Sequence, residues 1–414
     1  MDRQSAMLGS SPLRGATLFC TSRADINHCL TRAQNMDKET GTNLTRRSAL
    51  RTAAGVGTAA AFTTTVKTEA AHAAVDNDIS VAQDGQYERV PLKKESIRVR
   101  AIQSPMIPAD ADNPKPVMRS NLQRMLDLVD QANGFIAGKQ DLVSFFEQPI
   151  MGWAPWTREE ALKVCIEVPG PETEALGKKA KEHGCYIAFA SYVKDEENWP
   201  GHLLLNGILI GPDGSVVANH WKQHNVRINP RWTMYTTSAY DVLPRYIEMY
   251  GKDAVLPVAR TDIGNFSLLC SPYDPDIHRA IAIKGVEISL RFSSGGFNQV
   301  DSQSASLFNN NYTITMNQSI SPDNTGASGA GGTSIYGPRG KLIGMAKGVY
   351  EQSVSATIPI AEFRRNHRLP DVPMALVMPV YEKYRVPIDP GLSLEYLPTD
   401  MVDSARYIKE KRNW

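Results

Sequence analysis

The sequence carries almost no net charge, and its main part has no long apolar run. Its 45 lysines and arginines nearly balance its 44 aspartates and glutamates, which leaves a formal charge of +1 at pH 7. Such a chain has no overall field that would attract nucleic acid or an acidic membrane surface. No run of about 18 apolar residues occurs in the body of the chain, so nothing there is predicted to span a bilayer. We therefore expect neither nucleic acid nor a membrane as a partner of the mature protein.

The beginning of the chain has the composition of an export signal. The stretch "TRRSALRTAAGVGTAAAF" has an arginine pair at 46–47 and continues into small and apolar residues, and "AHA" at 71–73 fits a small-x-small cleavage site. We interpret residues 1–74 as a twin-arginine leader together with the residues before it, with Met36 as a candidate start. A periplasmic or secreted protein is the expected result. A low-complexity tail is the alternative interpretation.

Cysteine is scarce, with five in the whole chain. Removal of the leader would also remove Cys20 and Cys29, which leaves Cys165, Cys185 and Cys270. An oxidising compartment usually pairs cysteines, so an odd number leaves at least one thiol free. A catalytic function would account for a free thiol in an exported protein.

The spacing of apolar residues predicts a mixture of helices and strands. Helices are predicted at 117–138, 170–184, within 231–252 and at 275–285. Strands are predicted at 95–103, 141–147, 185–193, twice within 203–221 around a Pro-Asp-Gly turn, and at 265–270, 286–292, 312–317, 332–336, 341–346 and 353–359. Helices and strands alternate first and hairpins dominate later, which favours a single large α/β sandwich over an all-parallel barrel. The Pro-rich residues 366–414 are predicted to form an arm on the surface.

Three polar residues stand at the ends of predicted strands. Glu147 closes "DLVSFFE", Lys222 follows "SVVANHW", and Cys270 closes "NFSLLC". A carboxylate beside a thiol can take its proton, and a nearby ammonium lowers the pKa of the thiol and stabilises developing negative charge. Taken singly, each residue also has a structural interpretation, since a charged residue at a strand end is usually solvated and a cysteine in an apolar strand usually belongs to the core.

The sequence around these residues resembles sequences of the carbon–nitrogen hydrolase (nitrilase) superfamily. "DLVSFFEQPIMGW" is similar to the segment around the family's general base, and "NGILIGPDGSVVANHWKQH" is similar to the hairpin that leads to its lysine. "GNFSLLCSPYDPDIHRAIAIKGVEISLR" resembles the segment around its nucleophile, and "TSIYGPRGKLIGMA" resembles its late hairpin. The four motifs occur in the family's order, and the resemblance covers residues 95–365.

The resemblance implies a fold, a chemistry and an assembly. The fold is an αββα sandwich, and the protein is expected to form homo-oligomers, for which residues 366–414 are a candidate assembly arm. Glu147 would be the general base, Lys222 the oxyanion stabiliser and Cys270 the nucleophile that attacks an amide or carbamoyl carbon, with a nitrile as a further candidate. Neither a metal nor another cofactor is expected.

The segment after the nucleophile departs from the family pattern by one residue. Counting forward from Gly264 puts Ser271 at the nucleophile position, and counting back from Arg279 puts Leu269 there. Only the position between them, Cys270, offers a thiol. This departure leaves open a second hypothesis of a different class, a protein that kept the fold, lost the chemistry and became a binding or assembly module.

Further residues are candidates for contacts with the substrate. Family members often place a second acidic residue beside the lysine, and among the acidic residues at 195–197 we choose Glu197. Trp221 and Tyr273 are predicted to line an apolar substrate pocket, and packing in the core or at an interface is the equal alternative. The spacing of His220 and His224 would suit zinc on a helix, but the segment is a predicted strand end, so no metal site is predicted.

Overall fold

The protein is described here by a computed structural model. It covers residues 78–225, 227, 233–270, 273–296, 298–320 and 329–414, which belong to one compact unit from His72 to Trp414. The predicted leader at residues 1–74 lies outside these residues, so the leader and the exported location stay predictions. None of the described helices is both long and apolar enough to cross a membrane.

Twelve strands among the described residues form two mixed sheets of six strands each. The first sheet contains β1 (Ile97–Gln103), β2 (Leu142–Glu147), β3 (Tyr186–Val193), β4 (Leu204–Ile210), β5 (Val216–Trp221) and β12 (Gln352–Ile358), in the spatial order β12-β1-β2-β3-β4-β5. The second contains β6 (Ala259–Thr261), β7 (Gly264–Cys270), β8 (Ile288–Phe292), β9 (Tyr312–Met316), β10 (Ser334–Gly337) and β11 (Lys341–Met345), in the order β11-β10-β9-β8-β7-β6. In each sheet a parallel core of three strands is flanked by antiparallel strands.

The described residues also form ten α-helices. They are α1 (Lys115–Ala132), α2 (Arg158–Val164), α3 (Pro171–His183), α4 (Leu243–Tyr250), α5 (Pro275–Ile283), α6 (Gln299–Asn309), α7 (Ile360–Asn366), α8 (Met374–Tyr381), α9 (Leu392–Glu395) and α10 (Met401–Lys411). Helix α3 packs on β3 and β4 of the first sheet, and α6 packs on β9 and β10 of the second. The αββα sandwich that the resemblance implied is therefore confirmed.

The inner faces of the sheets meet where a glycine leaves room for them. A side chain on Gly207 of β4 would begin 2.7 Å from Cβ of Leu268 on β7 and 3.1 Å from the Phe292 ring on β8. Contacts this short do not occur between real side chains, so glycine permits the close approach of the strands. The strand ends that carry the candidate residues thereby lie at one end of a shared apolar core.

Several predictions for secondary structure differ from the structure. Helix α1 ends at Ala132 rather than at the predicted stop, Gly138. The side chain of Asn133 donates a hydrogen bond to the Val129 carbonyl at 2.9 Å, and such a local bond ends a helix early. Helices α2, α6 and α7 and the short strand β6 were not predicted at all.

The C-terminal residues fold back on the sandwich as helices α8, α9 and α10. Arg158 holds this segment, because its Nε donates to the Pro398 carbonyl at 2.7 Å and its backbone N–H donates to the Thr399 carbonyl at 2.6 Å. Tyr240 donates to the Ile388 carbonyl at 2.8 Å. The segment thus lies against its own subunit, and its predicted part in an assembly stays a prediction.

Candidate active site

Cys270 is the last residue of β7, and its side chain is fully buried. Successive side chains of a strand point to opposite faces. Leu268 and Cys270 accordingly belong to the main core between the sheets, whereas Leu269 packs behind the strand with Val258 and Ile281. Leu269, the position reached by counting back, therefore faces away from the inner core. Ser271, the position reached by counting forward, lies outside the described residues.

Glu147 is the last residue of β2 and is 7% exposed. Its backbone N–H donates to the Ser293 carbonyl at 3.3 Å, which joins the end of β2 to the residue after β8 of the other sheet. The next residue, Gln148, has a φ of 66°, a left-handed conformation that is uncommon outside glycine. The backbone therefore turns sharply at Gln148, immediately after Glu147.

The loop after β8 holds the Glu147 carboxylate. Ser294 Oγ donates to Glu147 Oε2 at 2.5 Å. The loop is fixed in turn, because Gln318 donates to the Ser294 carbonyl at 2.6 Å and Asn317 donates to the Gly295 carbonyl at 3.1 Å. The other oxygen, Oε1, is buried and has no hydrogen-bond partner among the described residues. One oxygen of the carboxylate is thus anchored, and the other is open to accept a proton.

Lys222 directly follows β5 and is 5% exposed. Its N–H donates to the Leu205 carbonyl at 2.8 Å, and its carbonyl accepts from the Ala239 N–H at 2.9 Å. Buried Asp241 stabilises the segment around Ala239 that bonds back to Lys222, because it accepts hydrogen bonds from Ser238 and Asn225. The backbone of the lysine is therefore held on both sides.

The electrostatics of the thiol bring the three residues together. Burial raises the pKa of Cys270 well above its ordinary value, the Glu147 carboxylate raises it further, and the Lys222 ammonium lowers it. Both charged groups therefore lie within electrostatic range of the sulfur, although they come from three separate strand ends. At neutral pH the thiol keeps its proton, so it needs an adjacent base to become a nucleophile.

The predicted substrate contacts occupy three different environments. Tyr273 lies beside the site: it donates to the Gly296 carbonyl at 3.0 Å, and Glu147 contributes to raising its pKa, after burial and against Arg291. Trp221 is buried, and its ring packs edge-to-face against Trp199 and Tyr246 at 5.1 Å from each.

Glu197 is solvent-exposed in the turn before Trp199. The described contacts of Trp221 are packing contacts, and the charged groups that shift the pKa of Cys270 are Glu147 and Lys222. The structure thus brings Tyr273 to the candidate site, and the contacts proposed for Glu197 and Trp221 stay predictions.

The histidines near the site are not arranged as metal ligands. His220 is buried, and burial lowers its pKa to about 3. His224 instead pairs with Asp274 at 3.0 Å. Among the described residues, the one group with metal-ligand spacing is Asp130, Glu182 and His183 on the outer helices, where Lys179 already forms ion pairs with both carboxylates.

Ser294, Asn317 and Gln318 are the residues near the carboxylate that the sequence analysis missed. They lie one or two residues after the ends of β8 and β9, much as Glu147, Lys222 and Cys270 close or follow their strands. Position at a strand end was the available signal, but serine and amide side chains are common there for structural reasons.

Comparisons of the sequence and of the structure with known proteins point to the same family. The family model for carbon-nitrogen hydrolases matches residues 98–367, and the comparison with curated proteins gives no match. Similar solved structures include Saccharomyces cerevisiae Nit3, a member of branch 10 of the nitrilase superfamily, with 16% identity, a TM-score of 0.50, and coverage of 66% of this chain and 96% of that chain. The C. elegans NitFhit protein has 15% identity, a TM-score of 0.50, and coverage of 70% and 65%. An amidase from Nesterenkonia sp. has 16% identity, a TM-score of 0.49, and coverage of 70% and 98%.

The two kinds of comparison establish different things. At such low identity, the two structures with a TM-score of 0.50 show a shared fold. The family model spans well over half of the 414 residues, and it includes all three strand ends described above. This chain belongs to the carbon-nitrogen hydrolase family.

Proposed function

We propose that this carbon-nitrogen hydrolase cleaves a carboxylic amide through an acyl-enzyme on Cys270. The observation that carries the proposal is the opposite influence of Glu147 and Lys222 on the pKa of one buried thiol. A base and a cation around a single sulfur are the groups that nucleophilic attack on a carbonyl requires. The name of the Nesterenkonia amidase agrees with this substrate class.

The proposed first half-reaction forms a thioester. Glu147 accepts the thiol proton on Oε1 as the sulfur attacks the carbonyl carbon. Negative charge develops on the carbonyl oxygen, and the Lys222 ammonium stabilises it. Glu147 then gives the proton to the nitrogen, the C–N bond breaks, and ammonia or an amine leaves.

The proposed second half-reaction hydrolyses the thioester. Water enters, Glu147 takes one of its protons, and the oxygen attacks the acyl carbon. The C–S bond breaks, the sulfur recovers a proton from Glu147, and the carboxylic acid leaves. The site returns to its first state, with one water consumed for each amide.

Release of ammonia from amides tests this proposal. The wild-type protein is incubated with formamide, short aliphatic amides, aryl amides and nitriles. We expect Cys270→Ala to abolish turnover and Lys222→Met to lower kcat about 10²–10³-fold, with the circular dichroism of the folded protein unchanged. Cys165→Ala is the matched control, because Cys165 is buried elsewhere and donates to the Ala161 carbonyl at 3.2 Å.

Covalent labelling separates an enzyme from an inactive relative. The amide analogue 2-chloroacetamide is expected to label the Cys270 peptide in mass spectrometry. Retained ammonia release in Cys270→Ala would contradict the assigned nucleophile. No release from any compound, together with no label on Cys270, would favour the binding or assembly module.

A further inference from the structure

A cavity of about 890 Å³ is lined in part by residues that closely follow Lys222 and Cys270 along the chain. One wall comes from the chain that leaves Lys222, with Gln223, His224 and Tyr240. A second wall comes from the chain that leaves Cys270, with Asp274 and Ile277. The bond between His224 and Asp274 ties these walls together at 3.0 Å. The cavity is therefore bounded by the two segments that emerge from the reacting groups.

The third wall comes from the folded-back C-terminal segment. Val386, Ile388 and Ile408 contribute apolar side chains to it. Tyr240, which belongs to the first wall, donates to the Ile388 carbonyl and so fixes this segment at the cavity. The C-terminal residues thus close one side of the cavity, which would be open if it were formed by the sandwich alone.

The size and lining of the cavity define a class of ligand. Pockets for drug-sized ligands occupy about 300–1,000 Å³ and are mostly apolar with a few placed polar groups. The polar group nearest the reacting residues is Gln223, which directly follows Lys222, and its Oε1 is buried without a hydrogen-bond partner among the described residues. An N–H group of a ligand would satisfy this acceptor, since a buried unpaired oxygen is costly.

The charged residues of the lining also restrict the ligand. Lys409 and Arg412 of the C-terminal segment line the cavity and are exposed to solvent. Of the two acidic residues in the lining, Asp274 pairs with His224, and Asp276 accepts a hydrogen bond from Tyr381 and keeps its charge. The two cationic side chains outnumber the Asp276 carboxylate, so the solvent-exposed side of the cavity favours a neutral or anionic group over a cationic one.

We propose that this cavity binds the acyl group of the substrate, and that the substrate is an amide of a bulky apolar carboxylic acid with a neutral or anionic far end. The inference rests on the proposed function only for the step at Cys270. Binding in the cavity depends on its own walls, so the two can be tested apart.

Binding to a variant without turnover tests the cavity. Calorimetry with Cys270→Ala is expected to show 4-phenylbutanamide bound at least about tenfold more tightly than acetamide. Ile408→Trp, which fills the C-terminal wall, is expected to weaken 4-phenylbutanamide about tenfold or more. The matched control is Val402→Trp on the same helix, where the side chain is 69% exposed and lies outside the cavity.

Two further comparisons test the charge preference of the cavity and the orientation of the bound amide. A 4-phenylbutanamide with a ring carboxylate is expected to bind more tightly than one with a ring aminomethyl group. In protein that retains Cys270, Ile408→Trp is expected to lower the ratio of kcat/KM for 4-phenylbutanamide to kcat/KM for acetamide about tenfold. Preference for N-aryl acetamides over 4-phenylbutanamide would overturn the acyl assignment.

The outcomes separate this inference from the proposed function. Binding of 4-phenylbutanamide that Ile408→Trp weakens, without any hydrolysis, would support the cavity and remove the proposed reaction. Hydrolysis of acetamide without tighter binding of 4-phenylbutanamide would do the opposite. An equal effect of Ile408→Trp and Val402→Trp would overturn the cavity as the acyl site.

Discussion

The Glu147 carboxylate is placed by a neighbour that takes no part in bond making. Ser294 donates to Oε2, and Oε1 has no hydrogen-bond partner among the described residues, which leaves it available for the proposed proton transfer. A hydrogen bond to a charged group contributes about 1.5–3 kcal/mol. Without it the carboxylate can rotate, and fewer molecules hold the base in the reactive geometry.

We therefore expect Ser294→Ala to lower kcat about tenfold with little change in KM. Steady-state kinetics on an accepted amide measures both constants. Ser293→Ala is the matched control, because the Ser293 hydroxyl bonds to the Gly295 carbonyl at 3.4 Å and not to Glu147. Equal losses in the two variants, or a change confined to KM, would show that Ser294 does not position the base.

The three proposed reacting residues could be chosen from sequence because each stands at a predicted strand end inside a motif that resembles the family. Taken singly, Glu147, Lys222 and Cys270 are each ordinary at such a position. Ser294 could not be chosen in the same way, since its function depends on one hydrogen bond across two sheets. A contact between residues 147 positions apart has no local sequence signal.

Among the elements, strand β4 requires a residue without a side chain at its centre. Gly207 faces Leu268 and Phe292 of the other sheet at distances that admit no side chain. Leu268 lies two residues before Cys270 on the same face of β7. Pressure on Leu268 would therefore also move the sulfur.

Gly207→Ala is expected to lower the free energy of unfolding by about 1–3 kcal/mol, the usual cost of overpacking a core. Denaturant unfolding measures this change. The control is Gly134→Ala, where the new methyl group would be no closer than 3.4 Å to its neighbours, and where we expect a change within about 0.5 kcal/mol. If both variants were equally stable, the sheets would not be in tight contact at Gly207.

Most strands could be predicted and helix α6 could not, because the prediction depended on the pattern of apolar residues. Strands such as β2 and β3 are buried on both faces and are nearly continuous apolar runs. Helix α6 buries Ser302, Ala305, Ser306 and Asn309 at helical spacing, and three of these four are polar. Ser302 bonds to Thr315 and Ser306 bonds to the Asn311 carbonyl, so polar pairing replaces the apolar stripe. A pattern of hydrophobic residues cannot detect such a helix.

In the whole molecule, the C-terminal segment joins the fold to the candidate site. Arg158 holds it through backbone carbonyls, and burial lowers the pKa of this guanidinium to about 10. Its proline content indicated an arm on the surface, without any helix, and the segment forms helices of which α10 lines the cavity. Proline shows where a helix starts or stops but not what the segment packs against.

The convergence of three strand ends on one sulfur is a property of the complete sandwich. Glu147 is the last residue of β2 in the first sheet, and Lys222 directly follows β5 of the same sheet. Cys270, by contrast, belongs to the second sheet. The Glu147 carboxylate disfavours the thiolate and raises the pKa of Cys270, and the Lys222 ammonium favours the thiolate and lowers it. Removal of either charge must then shift the thiol in the direction opposite to that charge's influence.

The rate of Cys270 modification by methyl methanethiolsulfonate against pH measures this directly, with each cysteine resolved by peptide mass spectrometry. At a given pH, we expect Glu147→Gln to react faster than wild type and Lys222→Met to react more slowly, because the first variant loses the charge that raises the pKa of the thiol and the second loses the charge that lowers it. Cys185, whose pKa burial raises to about 11, is the internal control and should react equally in all three proteins. Equal rates at Cys270 in all three would mean that the carboxylate and the ammonium do not act on this sulfur.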